Sequence, residues 1–188
     1  MLGTHDTMPS IGDLIYALAQ WLKTTPLLDL ANWMSNWPLR EYVDAHFWFI
    51  PIAQTFHILA IAAAFGSVLM INLRVVELAG RNRTMAQIAH RYLPWIWWSL
   101  ATLLASGIVM IVGEPVRELL NPCFWIKMIL IVVAIAVSVW FQDSVRRNVV
   151  WWELTPERRI IIRAGAGGVV VLWLAIMAFG RWIAYAPI

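Results

Sequence analysis

Four long apolar runs govern what this chain can fold into. They cover about residues 46–73, 93–112, 123–141 and 160–183. Each is close to the roughly 20 residues a helix needs to cross the hydrocarbon of a bilayer. With 61% hydrophobic and 13% charged residues, the chain of 188 residues is too apolar for a soluble domain. The expected fold is all-α: an integral membrane four-helix bundle over residues 46–188, which makes the lipid bilayer its first partner. An amphipathic segment over residues 1–45 precedes it.

That first segment holds one or two short interfacial helices. Ser10 and Asp13 resemble a helix start, and Ile11, Leu14, Ile15, Leu18, Trp21 and Leu22 follow on one helical face. Thr25-Pro26 starts a second helix, Thr as cap and Pro in the first turn, which stops at Pro38. Both are expected to lie at the membrane surface or to cover the bundle. The opening residues MLGTHDTMPSIGD have neither the basic region nor the apolar run of a secretory signal. The first span is therefore expected to carry the N-terminus across, with a kink at Pro51. The chain's 13 Trp residues suit the bilayer interface, which takes the apolar and the wet edge of an indole together.

Positive charge sets the expected orientation. Arg74, Arg81, Arg83 and Arg91 follow the first run, and Arg146, Arg147, Arg158, Arg159 and Arg163 follow the third. The other side holds Lys23, Arg40, Arg117, Lys127 and Arg181. Cytoplasmic loops retain Lys and Arg, so both termini and the Glu114–Asn121 turn are expected outside a bacterial inner membrane. The net charge of +3 belongs to this anchoring and does not point to nucleic acid. One cysteine, Cys123, excludes an internal disulfide and any CxxC motif. A Walker loop, an HExxH motif and a nucleophile elbow are all missing, so an enzyme with soluble-type catalysis is not expected.

His57 is the most informative residue. It lies deep in the first run, roughly 16 Å from His46 at about 1.5 Å per residue, where a titratable side chain points to function. On one continuous helix His46 and His57 share a face with Ala53, Ala60, Ala64 and Ser67. Small side chains there admit either a flat macrocycle or another helix. Two readings stand: His57 as axial ligand of a haem b iron, or His57 as a structural, hydrogen-bonded residue paired with Gln54. His46 is a candidate for an outer haem or metal. Lys127 and Arg181, near the outer ends of their helices, are candidates for haem propionates, with snorkelling to headgroups as the alternative. His90 is too far in depth to share an iron with His57, and His5 lies in the tail. The second axial ligand is unknown; Met128 and Met177 reach the right leaflet. Arg74 and Glu77 form a candidate interfacial pair, and Ala164 with Gly168 mark expected tight helix packing.

The strings HFWFIPIAQTFHILAIAAAFGSVLMINLRVVELAG, LPWIWWSLATLLASGIVMIV, NPCFWIKMILIVVAIA and GRWIAYAPI resemble a family of small bacterial four-helix membrane proteins that is largely uncharacterised. The resemblance runs from about Trp48 to Ile188. Its usual pattern of Pro, acidic residue and His, then Asp-Leu-Arg, reads here as Pro51, Gln54 and His57, then Asn72-Leu73-Arg74. Gln142 stands where that family often has a His. These departures remove groups that a proton relay or a cytoplasmic-side haem would use. More distantly the pattern resembles b-type cytochrome and copper-resistance membrane bundles, an architectural likeness. The expected function is a haem b electron-transfer subunit, non-catalytic by itself, between an extracytoplasmic redox partner and the quinone pool or a larger membrane complex. The alternatives are a cofactor-free anchor or assembly subunit, and a copper or solute carrier using His46, His57 and Met residues.

Overall fold

Ser10 starts the first helix, and the computed structural model, which describes residues 10–80, 82–147, 156–183 and 185, shows how. The Ser10 Oγ accepts from the Asp13 N–H at 3.2 Å, and the Asp13 carboxylate accepts from the Ser10 N–H at 2.9 Å. These two bonds satisfy N–H groups that the helix itself leaves open. The Ser10 hydroxyl also donates to the Asp13 carboxylate at 2.7 Å, and this bond first and the Ser10 N–H second hold that carboxyl below its ordinary value. Helix α1 is Ile11–Lys23, α2 is Leu27–Ser35 and α3 is Pro38–Ala45. Helix α2 ends before Pro38, as expected, and Pro38 is itself a start. Proline in the first helical position gives up no hydrogen bond, so a third short helix follows directly.

Four longer helices follow: α4 (Phe49–Val75), α5 (Met85–Gly113), α7 (Pro122–Arg147) and α8 (Pro156–Trp182), with the short α6 (Pro115–Leu119) joining α5 to α7. Each of the four contains a stretch long and apolar enough to cross a membrane. Buried residues make up no more than 33% of any of these apolar windows, which leaves most of these residues outside the bundle's core, as contact with lipid would allow. Pro51 falls in the first turn of α4, where the missing N–H is not needed. Pro94 lies inside α5 and deprives the His90 carbonyl of its helical partner. Helix α5 begins eight residues before the expected Leu93, because Thr84 and Gln87 form a capping box at its start. Helix α4 ends in a Schellman motif: the Glu77 N–H bonds the Arg74 carbonyl and the Leu78 N–H bonds the Leu73 carbonyl. Glu77 itself takes the left-handed position, φ 61°.

Helices α4 and α5 pack as an antiparallel hairpin. Ile50 lies against Gly113, where an added Cβ would come 2.6 Å from the Ile50 Cδ1. Seven residues up one helix and seven down the other, His57 meets Ser106. Helix α7 pairs with α8, and α8 also packs on α4. Two cores result. One, toward the Arg-bearing loops, holds Ala64, Val68, Ile71, Met85, Ile88, Ile96 and Trp173. The other, at the opposite end, joins Ala31 of α2 to Leu119, Cys123, Phe124 and Ile183. Helices α1–α3 therefore form a cap over that end, and α3 seats Val43 beside Gly113. Ala164, Gly165, Gly167 and Gly168 are exposed, contrary to the expected tight packing, and nothing lies within 4 Å of a Cβ built on any of these three glycines.

Candidate functional site: the imidazole at the cap end

His57 sits eight residues into α4, and Ser106 lies seven residues before the end of α5. Both are roughly 11 Å below the cap-side helix ends at about 1.5 Å per residue. The His57 Nδ1 and the Ser106 Oγ are 2.8 Å apart. The single hydroxyl proton of Ser106 is directed at its own helix: the Oγ lies 2.7 Å from the Thr102 carbonyl and 3.3 Å from that of Leu103. A carbonyl only accepts, so the Nδ1–H of His57 donates to Ser106. In the neutral ring the lone pair is then on Nε2. Such a bond to one ring nitrogen sets which nitrogen is free to act as acceptor or ligand. The structural partner of His57 is thus Ser106; the expected partner Gln54 is exposed.

Lys127 comes to the same end from α7. Its Cδ, Cε and Nζ run past Gly180 of α8, 3.7 Å from where a Cβ would stand. Glycine there leaves a path for the aliphatic stem. The Lys127 charge acts on His57 on one side and on Glu118 on the other. Glu118, in α6 and outside the spans, is half-buried. Burial is the main cause that raises its carboxyl above the ordinary value; Lys127 and Arg117 oppose the rise and Glu114 adds to it.

The other candidates stand apart. His46 ends α3, and its Nδ1–H donates to the Tyr42 carbonyl at 2.8 Å while its ring lies 4.3 Å from that of Tyr42. The chain turns at His46–Trp48 before α4 begins, so His46 and His57 do not lie on one helix and the expected common face is lost. Arg181 is exposed; its Nη2 donates to the Tyr185 hydroxyl at 2.9 Å and its guanidinium lies 5.3 Å from that ring's centre. His90 is exposed on the loop side and Met128 is 38% exposed. His5 lies outside the described residues. Among the described residues no three His, Cys, Asp or Glu side chains converge as a metal site.

Two residues at this end escaped sequence reasoning. Ser106 is at the depth of His57 only when counted from the observed helix ends, Phe49 and Gly113, which lie away from the expected span ends at 46 and 112. Asn121 is fully buried; its Oδ1 accepts from the Cys123 N–H at 3.0 Å and its amide donates to the Ile183 carbonyl at 3.1 Å. It therefore starts α7 and ties it to the end of α8.

Fold and site together define an all-helical, multi-pass membrane protein with one hydrogen-bonded imidazole inside the cap end of its bundle. The chain belongs to DUF6644, described as a family of unknown function, whose model matches residues 41–186. The match begins within α3 and takes in all four spans. No curated protein and no solved structure matches the chain.

Proposed function

We propose that this protein is a haem b-binding membrane subunit of a bacterial inner membrane. It would pass electrons between an extracytoplasmic redox partner on the cap side and the quinone pool or a larger membrane complex. The Arg-bearing loops lie in the cytoplasm on this reading, as retention of positive charge requires. The observation that supports it is the His57–Ser106 bond, which leaves Nε2 as a free lone pair within an apolar bundle. Of the four residues weighed for the cofactor, His57 suits an iron ligand and Lys127 suits a propionate. His46 stands off the helix that carries His57, and Arg181 is bonded to Tyr185, so neither joins them in this reading. A bound haem supplies one-electron exchange; the chain's part is to hold the ring, orient it and keep water away. Ser106 fixes the tautomer and Gly180 gives Lys127 its course.

The test is an absorption spectrum of the purified protein from cells supplied with haem. The expected result is a Soret band and a pyridine haemochrome, both lost in His57→Ala. A wild-type protein with neither band refutes the proposal. The second reading, a cofactor-free anchor or assembly subunit, is favoured by the outward Trp95, Trp97 and Trp98 on α5, 62%, 42% and 75% exposed. It expects a co-purifying partner that His57→Ala retains and that substitution of these three Trp residues releases.

A further inference from the structure

Helix α1 carries more apolar surface than the bundle covers. At about 100° per residue, its side chains fall into three sectors. Ile15, Ala19 and Leu22 face the bundle: Ala19 and Leu22 are buried, and Ile15 packs on the core formed by Leu119, Cys123, Phe124 and Ile183. Asp13, Gln20 and Lys23 make a polar sector on the other side. Between them Ile11, Leu14, Leu18 and Trp21 form an apolar stripe, 70%, 52%, 47% and 61% exposed.

The height of α1 indicates what covers this stripe. The cap rests on α6, the first turn of α7 and the end of α8. Exposed indoles mark the same level: Trp48 before α4, Trp125 in α7 and Trp182 in α8. Indoles favour the headgroup region. Phe47, 88% exposed, stands where the cap joins the first span. Helix α1 packs on α7, whose next turns present Met128, Ile129 and Val132 outward. The stripe thus continues a surface that already faces lipid. A stable protein interface covers about 800 Å² on each partner, far more than four side chains of one helix offer.

We propose that α1 is seated in the bilayer: it lies along the cap-side membrane surface with Ile11, Leu14, Leu18 and Trp21 among the lipid chains, while Asp13, Gln20 and Lys23 face water. The helix then acts as a collar that fixes the height of the cap end in the membrane. This does not depend on haem.

The test uses the full chain in phosphatidylcholine vesicles, with a nitroxide at Leu14→Cys, Leu18→Cys or, as control, Tyr16→Cys. Cys123 is fully buried and is retained. Oxygen, which partitions into lipid, and a water-soluble nickel chelate compete for the label. At positions 14 and 18 oxygen is expected to relax the label several-fold more than nickel, and the order reverses at 16. Two labelled positions on exposed sites guard against a single variant that folds badly. Nickel dominating at 14 and 18 overturns the proposal by placing the stripe in water. Exclusion of both reagents overturns it by placing a second copy or another protein on the stripe.

Discussion

Asn121→Ala tests how the two halves of the bundle are joined. The side chain is fully buried and makes two bonds, to the Cys123 N–H at 3.0 Å and to the Ile183 carbonyl at 3.1 Å. Loss of a helix-capping Asn costs about 1 kcal/mol. The Ile183 carbonyl, in a residue only 6% exposed, then loses its donor, and an unsatisfied buried group costs about 1–3 kcal/mol. Together they give a destabilisation of about 3 kcal/mol. Unfolding of the purified protein by dodecyl sulfate in mixed micelles, followed by circular dichroism, measures it. Asn121→Asp keeps the acceptor for Cys123 but sets an anionic oxygen against the Ile183 carbonyl. It should be at least as unstable as the Ala variant at neutral pH, and should recover at low pH, where a protonated carboxyl donates again. An Ala variant within about 0.5 kcal/mol of wild type, the range of ordinary surface substitutions, would refute the reasoning.

Ser106→Ala should cost about 1 kcal/mol and shift the His57 ring toward the Nε2–H form, as read by nitrogen-15 NMR of labelled histidine; an unchanged tautomer would show that Ser106 does not set it. Gly113→Val should destabilise by about 1–3 kcal/mol through overpacking, since even a Cβ would come 2.6 Å from Ile50; a neutral Val variant would contradict the close approach of α4 and α5. Burial raises the Glu118 carboxyl, so the folded state prefers it protonated. Its contribution is present below the ordinary carboxylate range and is lost as pH rises through the raised value. Glu118→Gln should therefore flatten the fall of stability with rising pH; a slope equal to the wild type's would count against burial as the cause.

The four spans were legible because length and hydropathy alone decide them. The cap was legible only in part. Pro38 reads equally as a stop and as a first helical residue, and only the backbone before it decides which. The start of α5 was hidden in MAQIAHRY, too polar to join an apolar run yet preceded by the Thr84–Gln87 box. The break at His46–Trp48 was invisible because Phe47 and Trp48 are as apolar as the run that follows them. This matters most for the site, since the pairing of His46 with His57 assumed an unbroken helix. Lys127 did reach the neighbourhood of His57, whereas Arg181 took up Tyr185 four residues on, a local contact. Small-residue spacing at Ala164 and Gly168 gave no guide to packing, because small side chains permit close approach without causing it.

His57 has two nitrogens, and the structural and ligand readings use different ones. Nδ1 joins α4 to α5 through Ser106; Nε2 would meet the iron. Lipid is as apolar as the helix faces, so helices in a bilayer gain their register from packing and directional bonds. The core toward the loops is apolar, whereas the cap end has the His57–Ser106 bond between α4 and α5 and the Asn121 bonds joining α7 to the end of α8. His57 is thus positioned to serve the fold whether or not it serves a cofactor, and His57→Ala alone cannot separate the roles. His57→Asn can. An Asn amide nitrogen stands near the place of Nδ1 and can still donate to Ser106, but nothing stands in the place of Nε2. The Asn variant should therefore unfold within about 1 kcal/mol of wild type, the scale of one hydrogen bond, while His57→Ala loses more. If the haem reading holds, the Asn variant also lacks the Soret band. An Asn variant as unstable as the Ala variant would remove the Nδ1 bond as the contribution of His57 to the fold. An Asn variant that still binds haem would remove Nε2 as the ligand.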